Sequence, residues 1–172
     1  GRVTIQKGPD YFLHAAKRAL ERDPNIIFVF AGSGDMEEQM MHLAATLGIA
    51  DRVVFTGFLT GTDRYEVYAA ADLFVMPSVS EPFGITPLES MRLGTPVLVS
   101  KQSGVSEAIQ HALKVDFWDV EEMANKIVSV LMHKGLHQTL SQLGKEESEH
   151  LTWDIAAEKL EKVLHDVPVA RV

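Results

Sequence analysis

Two glutamates, Glu81 and Glu89, stand eight positions apart in the run Ser80-Glu81-Pro82-Phe83-Gly84-Ile85-Thr86-Pro87-Leu88-Glu89. The apolar run Leu73 to Met76 just before it reads as a buried strand, and helical spacing begins at Gly84. The motif therefore sits where a strand hands over to a helix, at the carboxyl end of a parallel sheet, where ligands of open α/β folds bind. The first turn of a helix carries backbone N–H groups without intrahelical partners, and these suit a phosphate. Gly84 allows close approach of the backbone, with the N–H groups of Gly84 and Ile85 as donors. Pro87 fits an early helical turn. Glu89 falls one turn beyond Ile85 on the same face, and an ionised carboxylate accepts hydrogen bonds only, so it suits the two vicinal hydroxyls of a ribose. Glu81 taken alone is simply a favourable charge near a helix start.

Other chemistry-bearing residues are less specific. Arg2 and Lys7 taken alone are surface cations flanking a loop. Gly32-Ser33-Gly34 is either ordinary turn geometry between strand and helix or a wall of a ligand cleft. His133 and His137 have the spacing of a helical metal pair, but Gly135 stands between them and no acidic residue is spaced to assist, so no metal site is expected. Tyr65, Tyr68 and Trp153 read as packing residues, and Glu146 to Glu149 as a solvated helix face.

The elements that must position the motif follow from hydrophobic periodicity. Phe12, Leu13, Ala16, Ala19 and Leu20 predict a helix from Asp10 that stops before Asp23-Pro24, because a residue preceding proline disfavours helical angles. Ile26 to Phe30 predicts a strand buried on both faces. A helix follows from about Asp35 to Leu47, a strand over Val53 to Thr56, and a helix over Asp63 to Ala71. After the strand Leu73 to Met76 come a helix over about Gly84 to Leu93, a strand over Val97 to Val99, and a last strand over Ala112 to Val115. Asp119 and Glu122 form a capping-box pattern, opening a helix whose buried stripe is Met123, Ile127, Val130 and Leu131. A final helix from Trp153 places Ala156, Ala157, Leu160, Val163 and Leu164 on one face. Short buried strands alternating with helices indicate an α/β fold: a Rossmann-like, doubly wound parallel sheet with helices on both faces and the C-terminal helices packed back on the domain.

At 172 residues the chain suits one domain. Its 16 Lys and Arg against 24 Asp and Glu give a net charge of −8, which argues against a general nucleic-acid partner. Cysteine is absent, so disulfides and thiolate metal sites are excluded. No apolar run approaches the roughly 18 residues of a membrane span, and no signal-peptide pattern opens the chain, so a cytoplasmic protein is expected. The opening at Gly1-Arg2, with neither an initiator Met nor a strand before it, predicts a fragment cut at a domain boundary.

The paired glutamates resemble the signature of retaining glycosyltransferases of the GT-B architecture, group 1 or family 4 type. Neighbouring words agree in order: Gly1-Arg2-Val3-Thr4-Ile5-Gln6-Lys7-Gly8, Gly32-Ser33-Gly34, Val54-Phe55-Thr56-Gly57, Ala71-Asp72-Leu73-Phe74-Val75-Met76-Pro77-Ser78 and Gly94-Thr95-Pro96-Val97. The resemblance implies that residues 1–172 are the nucleotide-sugar-binding domain of a two-domain enzyme used in carbohydrate biosynthesis, its C-terminal half, with the N-terminal acceptor-binding domain absent. It also implies that a central strand of the sheet would precede Gly1, and that this chain alone has little or no transferase activity.

By the same resemblance Arg2 and Lys7 hold the donor's diphosphate and Glu81 lies beside the transferred sugar, these three being the catalytic set. Glu89 binds the ribose, Phe83, Gly84 and Ile85 offer contacts to sugar and phosphate, Phe58 and Leu59 line the base pocket, and Gly32 walls the cleft. The donor is an ADP-, UDP- or GDP-sugar, no cofactor is required, and no Asp-x-Asp metal motif occurs, in keeping with metal-independent transfer. The Glu-Pro-Phe-Gly-Ile wording and the stretch Asp116 to Asp119 lean toward glucosyl transfer of the glycogen-synthesis kind. The alternatives are an epimerase or phosphorylase on the same architecture, or a non-catalytic nucleotide-binding module.

Overall fold

The computed structural model describes residues 1–166. In chain order the elements are α1 (Pro9–Leu20), β1 (Phe28–Ala31), α2 (Glu37–Thr46), β2 (Val53–Gly57), α3 (Gly61–Ala70), β3 (Phe74–Met76), α4 (Thr86–Arg92), β4 (Val97–Ser100), α5 (Val105–Ala108), β5 (Leu113–Val115), α6 (Val120–Met132), α7 (Lys134–Glu149) and α8 (Trp153–Asp166). Every strand-to-strand pairing is parallel, as βαβ crossovers demand. Phe28 lies beside Val53, Phe74 beside Val97, and Leu98 beside Leu113. The Rossmann-like α/β expectation is met in its element order and strand direction.

The central strand β4 explains how the core divides. Successive side chains of a strand point to opposite faces. Leu98 joins one apolar cluster with Leu13, Ala16, Phe28, Phe30 and Ile127, while Val97 and Val99 join another with Met76, Met91, Val105 and Ile109. All four β4 residues are buried, so this strand is covered on both sides. On the first side α1, with Ala15, Ala16 and Ala19 buried, packs against α6, and Arg22 just past α1 ties to Glu121 and Asn125 of α6.

The strands form two sheets, β1-β2 and β3-β4-β5. Between them runs a groove of about 930 Å³ whose walls include Phe28, Phe30, Phe74, Val75, Ile127 and Leu131. The strand expected to be buried on both faces, Ile26 to Phe30, is covered on one only. Ile27, Val29 and, on the neighbouring strand, Val54 are 52%, 43% and 48% exposed. Val29 and Val54 are register partners, so this face of the β1-β2 pair is bare at its start, while Phe28 and Val53 on the other face are buried.

The later helices follow the sequence reading in most respects. Asp119 Oδ1 accepts from Glu122 N at 3.0 Å, as the capping pattern requires, although Glu122 turns its own carboxylate to Lys126 at 2.9 Å. Gly135 does not interrupt a helix: the break falls at His133, and α7 continues through Gly135. α7 packs back on α4 and is tied to Gly94 O by the Ser141 hydroxyl. Glu146 to Glu149 are not uniformly solvated. Glu147 Oε1 and Oε2 accept from Gln110 N at 2.7 Å and His111 N at 2.8 Å, which fixes the segment entering β5. α8 forms from Trp153, but the face of Ala156, Ala157, Leu160, Val163 and Leu164 is exposed, and Trp153 is exposed as well, so neither acts as packing among the described residues.

Candidate functional site

The loop between β3 and α4 is held from both sides. Val79 N and Ser80 N both donate to Gln6 O, at 2.9 and 3.2 Å, and the Ser100 hydroxyl donates to Ser78 O at 2.6 Å. On the other side Gly104 N donates to Glu81 O at 3.0 Å and Val105 N to Phe83 O at 2.7 Å. Two chains this close leave no room for a side chain, and a Cβ on Gly104 would lie 2.1 Å from Pro82 O. Gly84 has φ +96°, a conformation glycine adopts without steric cost. A side chain there would also meet Met76 and Glu81.

α4 starts at Thr86, two residues later than expected, because Ile85 is its N-cap and Pro87 occupies its first turn. Glu89 N donates to Ile85 O at 3.1 Å, so Glu89 does lie one turn beyond Ile85. The N–H groups of Gly84 and Ile85 donate to no backbone carbonyl among the described residues. Phe83 and Ile85 are 42% and 51% exposed at the loop's surface. The result is a compact turn of backbone donors with two carboxylates beside it.

Those carboxylates are both paired. A 3₁₀ turn over Ile5–Lys7 brings the Lys7 ammonium onto the Glu81 carboxylate, and Glu81 is the more buried partner. Glu89 Oε1 meets Arg64 Nη2 at 3.2 Å, and its Oε2 accepts from the Tyr68 hydroxyl at 3.5 Å. Tyr68 is fixed from elsewhere: the Thr95 hydroxyl donates to its carbonyl at 2.7 Å, and its ring meets Phe74 edge-on. Burial first, and then the negative charge of Glu89, push the Tyr68 phenol up to about 12, so it remains a donor near neutral pH.

Beside this pair lies a pocket of about 130 Å³ whose lining includes Phe58, Leu59, Arg64, Tyr68 and Thr86. Phe58 and Leu59 follow Gly57 at the end of β2, as the sequence reading placed them. The structure thus brings Lys7 to the loop of Glu81, Gly84 and Ile85, and Phe58 and Leu59 to a pocket lined by Arg64 and Tyr68, the two partners of Glu89. Arg2 is exposed, lines the inter-sheet groove together with Lys7, and makes no side-chain hydrogen bond or ion pair among the described residues. Gly32 serves the opening segment, since the turn it belongs to receives Val3 N on Ser33 O at 2.9 Å and returns Met36 N to Val3 O at 3.1 Å.

Sequence reasoning missed Arg64 and Gly104 and saw only packing in Tyr68. Arg64 and Tyr68 are four apart on α3, which puts them on one helix face. Which neighbour that face meets depends on how α3 packs on α4, and no local pattern encodes that. Among the described residues no group of three or more His, Asp or Glu is placed to hold a metal ion, and no helix is long and apolar enough to cross a membrane. His133 Nδ1 lies 2.9 Å from Ser129 O and is engaged with its own helix.

Against known proteins, residues 1–147 match the family described as Glycosyl transferases group 1. The chain is a group 1 glycosyl transferase sequence. Among relatives of this glycosyl transferase chain, an uncharacterized glycosyltransferase of Methanocaldococcus jannaschii is 38% identical over 164 residues, covering 92% of this chain and 42% of the relative. The mannosylfructose-phosphate synthase of Agrobacterium fabrum is 33% identical, covering 93% of this chain and 38% of that protein. The group 1 glycosyl transferase chain thus spans about two fifths of the curated relatives it matches. Among solved structures, Anabaena HepE in complex with UDP superposes with a TM-score of 0.85 at 22% identity, covering 97% of this chain and 47% of that one. At that identity the likeness establishes the shared fold.

Proposed function

We propose that this chain is the donor-binding side of a glycosyltransferase and that it binds a nucleoside-diphosphate sugar across the β3–α4 loop and the adjoining pocket. The observation that carries the reading is Glu89, an oriented carboxylate one turn into α4, beside an open pocket edged by Phe58 and Leu59. The ribose hydroxyls bind Glu89, the base sits against the backbone of Phe58 and Leu59, and the phosphates meet the N–H groups at Gly84 and Ile85. Lys7 and Arg2 supply positive charge to the diphosphate. In transfer the bond between the sugar's anomeric carbon and the phosphate oxygen breaks, its electron pair leaves with the nucleoside diphosphate, and the acceptor's hydroxyl oxygen bonds to the anomeric carbon as its proton passes to the departing diphosphate. Cations and oriented amides aimed at the leaving diphosphate stabilise charge as it develops.

Glu81 stands on the sugar side of the same loop. Its carboxylate shares Lys7 with the incoming diphosphate, which couples the two halves of the donor. Retention of configuration, independence of a divalent metal, and the acceptor-binding domain that completes the enzyme belong to the same proposal. Support comes from the family, and from the HepE structures, whose complexes hold UDP and UDP-glucose on the same fold.

A thermal-shift screen of this chain against ADP-, UDP- and GDP-sugars tests the reading. A ligand that binds only the native state at a hundred times its Kd adds about 2.7 kcal/mol. For a domain of this size that raises Tm by roughly 5–10 °C. One of the three bases is expected to give such a shift; no shift with any of them contradicts the proposal.

A further inference from the structure

We infer that Arg64, together with Tyr68, is a positioning pair that aims the Glu89 carboxylate and thereby sets selectivity for a ribose bearing its hydroxyls. The inference rests on the ribose role proposed for Glu89.

A carboxylate offers about four lone-pair directions on two oxygens. Arg64 pairs ionically with Oε1 at 3.2 Å, and the Tyr68 hydroxyl donates to Oε2 at 3.5 Å. Each oxygen keeps acceptor capacity, the arrangement that receives two neighbouring hydroxyls at once. Without these partners, a glutamate side chain 22% exposed is free to change rotamer, and each change moves its acceptors away from the pocket.

Both partners are themselves held. The Arg64 guanidinium lies 4.8 Å from the centroid of the Tyr65 ring, and its Nη2 donates to the Tyr65 hydroxyl at 2.9 Å. Arg64 sits 40% exposed at the mouth of the same pocket that Phe58 and Leu59 line. Tyr68 is 7% exposed and anchored through Thr95 and Phe74. A half-exposed partner and a buried one thus hold opposite oxygens of one carboxylate.

The test is calorimetric titration of the chain with ADP, UDP and GDP, each compared with its 2′,3′-dideoxy counterpart, for the native sequence and for Arg64→Met, Arg64→Lys and Tyr68→Phe. The native chain should prefer the ribonucleotide. Arg64→Met should lower ribonucleotide affinity about tenfold more than dideoxynucleotide affinity, the loss of roughly one net hydrogen bond to the ribose. Tyr68→Phe, which keeps the ring's packing, should reduce the preference in the same direction, and Arg64→Lys should restore part of what Arg64→Met removes. A purely structural role would lower both affinities together. Equal losses for ribo- and dideoxynucleotide, or an unaltered preference in Arg64→Met, overturn the inference. A native chain that does not distinguish ribo- from dideoxynucleotide, or binds neither, overturns the ribose role of Glu89 itself, and this inference with it.

Discussion

Glu89→Ala weakens nucleoside-diphosphate binding by at least about a hundredfold, because two hydrogen bonds to a charged acceptor, each worth roughly 1.5–3 kcal/mol, are lost together. The fold should survive the change. Glu89 lies near the surface on α4, and the partner it leaves behind, Arg64, is 40% exposed and regains solvent. The Tyr68 hydroxyl, held 3.5 Å from Oε2, loses only a long hydrogen bond. Calorimetry therefore reads binding while circular dichroism shows an intact melt. Glu89→Gln sharpens the comparison: it keeps one acceptor oxygen of similar shape, and should fall between the native chain and the alanine variant. Affinity within threefold of native for Glu89→Ala removes Glu89 from the site.

Gly104→Ala is the second large effect, and it comes from outside the motif. The backbone at Gly104 has φ −60° and ψ −32°, angles any residue adopts. In an unobstructed position such a replacement is mildly stabilising, by roughly 0.4–1 kcal/mol, through the unfolded chain. Here the added carbon would sit 2.1 Å from Pro82 O and 3.1 Å from Phe83 Cα, both backbone atoms that cannot turn aside as a side-chain end would. The contact decides the sign. Relief requires the loop and the start of α5 to separate, stretching the bonds from Gly104 N to Glu81 O and from Val105 N to Phe83 O. The expected cost is roughly 2–4 kcal/mol, read as a Tm lower by on the order of 10 °C, with weakened nucleotide binding because Glu81 and Gly84 ride on the displaced loop. An unchanged or raised Tm contradicts this account of how the loop is held.

Much of this was legible in the residues because the deciding signals are local. The strands β1 to β5 were visible as short apolar runs, and the start of α6 as Asp119 with Glu122 three residues on. The position of Glu89 relative to Ile85 follows from helix geometry alone. What escaped is set by distant packing. The bare face of Ile27, Val29 and Val54 was hidden because a continuous apolar run looks the same whether one face is covered or two. Glu147 looked like a solvated helix residue until the segment at Gln110 and His111 came to lie against it. Gly104 is one glycine among 12 in the chain, and only the nearness of Pro82 gives it meaning. Arg64 lacked a signal for the same reason: its partner lies 25 residues away on another helix.

Two cavities of different character compete for a ligand in this molecule. The larger is the apolar groove between the two sheets, walled by Phe28, Phe74 and Ile127. The smaller lies beside Glu89, with the Arg64 cation and the Tyr68 phenol in its lining. Arg2, Lys7 and Lys134 line the larger groove, so positive charge alone does not choose between them; the Glu89 carboxylate beside the smaller pocket, able to receive two ribose hydroxyls, favours the smaller for the nucleoside. A crystal structure of this chain with the nucleoside diphosphate that gives the largest thermal shift decides between them. The ribose hydroxyls should lie within hydrogen-bonding distance of Glu89, the base against Phe58 and Leu59, and the phosphates at the N–H groups of Gly84 and Ile85 near Lys7. A nucleotide seated instead in the inter-sheet groove, with Glu89 still bound only to Arg64 and Tyr68, would contradict the assignment.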